Sequence, residues 1–229
     1  MSLVLIFDLD DTLYSEHTFV ESGLRAVADF GQNEFGWNSS DSFVHMMQTL
    51  AQEGRGRIFD LWLEQKGCNR KTLIKRCVDV YRHHVPSLSL FESAKNLLSL
   101  LSDSALYVVT DGHKVTQQKK VEALNIQNYF QHIYITHRYG IKNEKPSPYC
   151  FELIRKREGC EWADMLYVGD NPSKDFVSLN KLGAHTVRVS TGAHRNVQAR
   201  PGYDAQHTIA DLTHFYKLLG EIKHGHENY

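Results

Sequence analysis

Leu3 to Phe7 are five consecutive apolar residues, and they run without a break into Asp8-Leu9-Asp10-Asp11-Thr12. A run that is apolar at every position, not at alternate ones, predicts a strand buried on both faces, as in a parallel sheet covered by helices. Open sheets of that kind gather their ligand sites beyond the C-terminal ends of the strands. Three carboxylates at such a place are costly unless a cation or a basic partner compensates them. On an extended chain Asp8 and Asp10 share one side and Leu9 takes the other. Two readings follow. Either the carboxylates hold a cation beneath an electrophile, or an Asp cluster caps a helix.

The pattern then changes character twice. From about Glu16 to Val85 it is helical in period and contains no good strand. Phe19, Gly23, Ala26, Val27 and Phe30 keep one face, with Gly31 as the expected stop. Ser39 or Ser40 is expected to cap a second helix carrying Phe43, Met46, Met47 and Leu50. Residues 58–63 and 71–81 read as a third and a fourth helix, and Pro86 ends the run. Beyond it helices (91–101, 115–124, 148–158, 176–182, 212–219) alternate with strands (105–109, 133–135, 165–168, 186–189), and Ile209 marks a short further strand. This alternation predicts an α/β fold with a Rossmann-like parallel sheet in three layers and right-handed crossovers. The first crossover is far longer than the dozen or so residues such a connection needs. It is therefore an inserted helical domain, residues 14–86, in a core made of 1–13 and 87–229.

The 229 residues suffice for a substantial core, and 26 basic against 27 acidic residues leave a net charge of −1. That balance gives no electrostatic footprint for a nucleic acid polymer. No apolar run approaches the ~20 residues needed to span a bilayer, so no membrane partner is expected. The first apolar segment is too short for a signal peptide and has no basic stretch before it. Cys68, Cys77, Cys150 and Cys160 show neither a CxxC pair nor zinc-finger spacing. They read as reduced thiols of a cytoplasmic protein. His83-His84 reads as a solvated helix end. The chain is expected to act as a monomer or homodimer.

Four polar groups fall at or just beyond the ends of successive strands: Asp8 with Asp10, Thr110-Asp111-Gly112, Lys145-Pro146, and Asp170 with Asp175. A common sheet edge brings them together despite their separation in sequence. Phosphoryl transfer needs a nucleophile, charge neutralisation and donors around the phosphate oxygens. A carboxylate can attack phosphorus. Asp8 and Asp170 offer oxygens to a hard cation such as Mg²⁺. Thr110 offers a hydroxyl, the Asp111-Gly112 turn offers backbone N–H groups, and Lys145 a compact positive charge. Asp10 can give a proton to a leaving oxygen and later take one from water.

These motifs, Asp-x-Asp-x-Thr, Thr-x-Gly, Lys-Pro and Gly-Asp-x-x-x-x-Asp, resemble those of the haloacid dehalogenase superfamily over nearly the whole chain. The helical insertion is similar to its C1-type cap. The resemblance implies Asp8 as nucleophile and Asp10 as general acid and base. It implies Mg²⁺ held by Asp8, the backbone carbonyl of Asp10, and Asp170. Thr110 and Lys145 would bind phosphate, with Asp111 and Gly112 in the same loop, and Asp175 would orient Lys145 or the metal's water shell. Two departures stand out. Asp111 occupies a position where Asn is more usual, and only its backbone N–H is expected to serve. A longer approach from Gly140 also offers Lys142 as a rival to Lys145, which the following Pro146 favours.

Within that family Asp10 argues against a dehalogenase, whose halide leaving group needs no acid. A phosphonate-cleaving enzyme would need an imine-forming lysine, and nothing singles out Lys66, Lys71 or Lys75. The implied activity is a phosphatase acting on a small phosphorylated molecule. A phosphomutase differs only in excluding water from the phospho-enzyme. Gln117 and Gln118, within the 110–130 pattern, resemble the branch with acylneuraminate phosphatases and pyrimidine nucleotidases, implying a sugar phosphate or nucleotide. Arg55 and Arg57, in Gly54-Arg55-Gly56-Arg57, are candidates for contacting the leaving group, against the alternative of an ordinary solvated loop. The alternatives from other classes are a non-catalytic phosphate-binding module and a receiver-like domain. Retention of Asp8, Asp10, Lys145 and Asp170 argues against the first, and the large insertion against the second.

Overall fold

The computed structural model describes residues 3–226. The apolar runs become strands β1 (Val4–Phe7), β2 (Leu106–Thr110), β3 (His132–Ile135), β4 (Met165–Gly169), β5 (His185–Val189) and β6 (His207–Ile209). They form one sheet in the order β3-β2-β1-β4-β5-β6, with every neighbouring pair parallel. β1, β2 and β4 are buried at every position, which is why their sequences run apolar up to the sheet edge, where β2 ends in the buried Thr110, instead of alternating. Phe7 lies level with Val108 on one side and Val168 on the other, so these three strands end within two residues of one another. The residues that follow them therefore share one edge.

Nine helices accompany the strands among the described residues: α1 (Glu16–Phe35), α2 (Ser39–Glu53), α3 (Ile58–Gln65), α4 (Lys71–His83), α5 (Glu92–Leu100), α6 (Lys114–Leu124), α7 (Tyr149–Glu158), α8 (Val177–Leu182) and α9 (Phe215–His226). None is long and apolar enough to cross a membrane. The chain divides into two compact units, Met1–Glu16 with Ser89–Tyr229, and His17–Leu88. These junctions lie slightly beyond those read from the sequence. For the first junction the reason is local: Phe91 N–H donates to the Leu13 carbonyl at 2.9 Å and Tyr14 bridges to Leu90, which ties Tyr14 into the sheet-bearing unit.

Each unit has its own core. The sheet unit packs Ile6, Tyr107, Val109, Phe151, Ile154, Tyr167 and Phe176. The helical unit packs Leu24, Val27, Met46, Trp62, Leu63 and Cys77. Three local expectations need correction in the helical unit. α1 continues through Gly31 to Phe35. Gly31 serves close approach instead of termination, since a Cβ there would stand 2.9 Å from the Trp62 ring. α2 is capped by Asn38, whose side chain accepts from Asp41 N–H at 2.9 Å, and not by Ser39 or Ser40. His84 is half-buried, not solvated: it meets Ser22 Oγ at 2.6 Å and the Phe19 ring at 4.8 Å between centroids. The four cysteines are free, and burial pushes the thiols of Cys77 and Cys150 up to about 12, away from reactivity.

Candidate active site

The turn after β1 builds the site. Asp8 continues the strand's ladder, its N–H donating to the Val168 carbonyl at 2.8 Å. Leu13 N–H then bonds to the Leu9 carbonyl at 3.0 Å, folding the chain back. Asp11 takes the left-handed conformation this requires, with φ of 53°, a region Asp tolerates better than most residues. Its carboxylate accepts from Glu16 N–H at 2.9 Å and Ala193 N–H at 3.0 Å. The capping reading of the acidic cluster thus applies to Asp11. Asp11 serves the start of α1, and Asp8 faces the sheet edge.

Asp8 is buried, and its Oδ1 accepts from Lys145 Nζ at 2.7 Å. The same ammonium lies 2.8 Å from Asp175 Oδ1 and donates to the Tyr167 hydroxyl at 2.8 Å. Asp175 is held by Asn171 N–H at 2.9 Å, so the turn after β4 fixes the partner that fixes Lys145. Carboxylate oxygens of Asp8, Asp170 and Asp175 all lie within 4.8 Å of one another. Burial pushes the Asp8 carboxyl up to about 8; Lys145 opposes this and Asp175 adds to it. Asp170 is raised as well, by burial foremost, against the pull of His194, whose Nδ1 lies 2.8 Å from its Oδ2. Three buried carboxylates around a single buried ammonium suit a hard cation with oxygen ligands. Lys142 is exposed in the turn Ile141–Asn143, whereas Lys145 reaches Asp8.

A second network surrounds Asp10. Its Oδ1 accepts from Lys120 Nζ at 2.6 Å and from the Tyr14 hydroxyl at 2.6 Å. Its Oδ2 accepts from Gln117 Nε2 at 2.8 Å. That amide also donates to Thr110 Oγ1 at 2.6 Å, leaving the Thr110 hydroxyl its own hydrogen to give. Lys120 is only 2% exposed and pairs with Glu16 at 3.0 Å too. Its partners hold the ammonium's pKa above the ordinary lysine value despite burial. Gly112, at φ of 120°, shapes the loop beside Gln117.

The Asp111 carboxylate is not idle. Oδ1 accepts from the Thr136 hydroxyl at 2.7 Å and Lys145 N–H at 3.1 Å, and Oδ2 from Lys174 Nζ at 2.8 Å. Burial works to raise its pKa, but Lys145 and Lys174 outweigh it, and the carboxyl sits below its ordinary value. Arg55 and Arg57 are exposed in a single 3-10 turn of the helical unit. Lys120, Lys174, Tyr167, His194 and Tyr14 were not singled out from the sequence. Only the spacing of Gln117, Lys120 and Leu124 along α6, which puts a polar pair on the buried face, hinted at the first of these.

A parallel sheet bearing buried carboxylates, an ammonium and a hydroxyl at one edge defines a class of α/β hydrolase sites. Residues 5–189 match the family model of the haloacid dehalogenase-like hydrolases, and the chain belongs to that family. It is 26% identical over 211 residues to the glyceraldehyde 3-phosphate phosphatase of Methanopyrus kandleri, covering 87% of this chain and 89% of the relative. It is 23% identical to the N-acylneuraminate-9-phosphatase of Rattus norvegicus, covering 85% and 89%. Among solved structures, the fold matches the HAD-hydrolase YfnB of Bacillus subtilis, bound to magnesium, with a TM-score of 0.70 and 20% identity over 95% of this chain and 98% of that one.

Proposed function

We propose that this hydrolase is a magnesium-dependent phosphatase that cleaves a small phosphate monoester, a sugar phosphate or nucleotide, through an aspartyl-phosphate. The observation that carries the reading is the Asp8 carboxylate at the end of β1, 2.7 Å from Lys145 and grouped with Asp170 and Asp175. Phosphatase activity in the names of the relatives supports it, as does a sugar phosphate in the first of them.

Asp8 attacks phosphorus, forming the acyl-phosphate bond as the bond from phosphorus to the leaving oxygen breaks. Asp10 gives that oxygen its proton. Asp10 then takes a proton from water, which attacks phosphorus, breaks the bond to Asp8 and releases inorganic phosphate. Thr110, the Asp111-Gly112 loop and Lys145 hold the phosphate oxygens. Asp8, Asp170 and the backbone carbonyl of Asp10 would hold Mg²⁺, with Asp175 keeping Lys145 in position. When bound, the cation neutralises charge on the transferring phosphoryl group. The helical unit acts as a cap that selects the leaving group, with Arg55 and Arg57 as its contacts. The free cysteines fit a reducing, cytoplasmic setting.

The test is hydrolysis of an aryl phosphate with and without Mg²⁺. Turnover that needs the cation and vanishes in Asp8→Asn supports the reading. Undiminished turnover in Asp8→Asn ends it.

A further inference from the structure

Asp111 puts negative charge beside the phosphate pocket where the family more usually has an amide. The structure reveals what accompanies that change. Its Oδ2 receives Lys174 Nζ at 2.8 Å, while Oδ1 is occupied by Thr136 and the Lys145 N–H. An Asn here has one acceptor oxygen, and its NH₂ would face either the Lys174 ammonium or the Lys145 backbone N–H, donor against donor. Carboxylate and ammonium are thus matched to each other.

Lys174 lies in the turn after β4 that also carries Asp170 and Asp175, a turn closed by Asp175 N–H on the Asn171 carbonyl at 3.0 Å. Its charge acts on Asp8 and Asp175 as well as on Asp111. Its side chain is 32% exposed, whereas that of Lys145 is 1% exposed, so Lys174 remains within reach of solvent and of an arriving anion. Asp111, the residue it neutralises, is 12% exposed. Without Lys174 that carboxylate would repel a phosphate dianion at short range.

We propose that Asp111 and Lys174 form a compensating charge pair that sets affinity for the phosphate group. Lys174 cancels the carboxylate, so the departure from Asn adds no repulsion. The proposal rests on the phosphatase reading above.

The experiment is a double-mutant cycle on the full chain, reading KM for an aryl phosphate and inhibition by inorganic phosphate. Lys174→Met strands the carboxylate and is expected to raise KM and the inhibition constant about tenfold, the middle of the range for coupled neighbours. Asp111→Asn combined with Lys174→Met removes both charges and is expected to recover most of that loss. Lys174→Arg, which keeps the charge, is expected to recover most of it as well. If Lys174 only braces the turn, the double variant is as weak as the single one or weaker, and kcat and Tm fall together with affinity. That outcome overturns the charge pair while leaving a working phosphatase. A wild-type protein that neither turns over nor is inhibited by phosphate overturns both.

Discussion

Asp8 is a carboxylate in surroundings that disfavour its charge, with burial pushing it up to about 8 from 3.8. The folded protein therefore binds this proton more tightly than the unfolded chain does. The stability it contributes is whole below the ordinary value and is lost as pH rises through that window. In metal-free protein, Asp8→Asn is expected to raise Tm near pH ~7, by roughly 2–4 °C for each kcal/mol recovered. Close to pH ~4 it is expected to have little effect, and an equal shift at both pH values would refute the assignment. Added Mg²⁺ is expected to stabilise wild type but not the variant. Lys120 belongs to the same scale. Its ammonium compensates Asp10 and Glu16 from a buried position, and breaking such a pair costs about 3–5 kcal/mol. Lys120→Met is thus expected to lower Tm. By releasing the Asp10 carboxylate, it is also expected to slow alkyl phosphates more than nitrophenyl phosphate. Equal slowing of both would mean Lys120 is structural only.

Strand ends decide where the chemistry can be. β4 closes on Gly169, where a Cβ would stand 2.6 Å from Asp175 Oδ2 and 3.2 Å from the Tyr167 ring. Those two side chains flank Lys145, so the missing side chain at 169 lets the turn fold back against its own strand. Gly169→Ala is expected to push Asp175 away and misplace Lys145. A displacement of about 1 Å can cost 10²-fold, so kcat/KM is expected to fall by about that much while circular dichroism keeps its helix and strand content. Retained kcat/KM would show that Asp175 does not need this placement. The turn after β5 is tied down comparably, with Ala193 N–H bonded to Asp11 and His194 to Asp170.

At the scale of the molecule, the sheet unit and the helical unit each have a separate apolar core. The stems of the insertion leave the sheet unit side by side, joined at Leu13–Phe91 and Tyr14–Leu90. Replacing residues 17–88 by a Gly/Ser loop of about four residues, an ordinary hairpin length, is therefore sterically allowed. The shortened chain is expected to unfold cooperatively and to keep its Mg²⁺-dependent rise in Tm. Loss of a cooperative transition would show that the sheet unit depends on the insertion.

How much was legible in the sequence depends on the range over which each feature is set. The strands were readable because burial on both faces demands unbroken apolar runs, as in Leu3–Phe7 and Ala105–Val109. Nearly level strand ends then made Asp8, Thr110 and Asp170 neighbours by topology alone. Gly31 and the Ser39 or Ser40 cap were misread because a glycine's role depends on which rings approach it, and a cap is chosen among adjacent polar residues by backbone angle. Lys120 and Lys174 were out of reach for a different reason. Lys120 lies 110 positions from Asp10 and Lys174 lies 63 from Asp111. Hydrophobic period and motif spacing report on neighbours along the chain. The pairing of buried charges is settled only when packed elements bring distant side chains within about 3 Å in a medium that punishes any charge left alone. The order of elements and the identity of the carboxylates at the sheet edge were thus properties of the sequence. The partners of those carboxylates were decided by the tertiary structure.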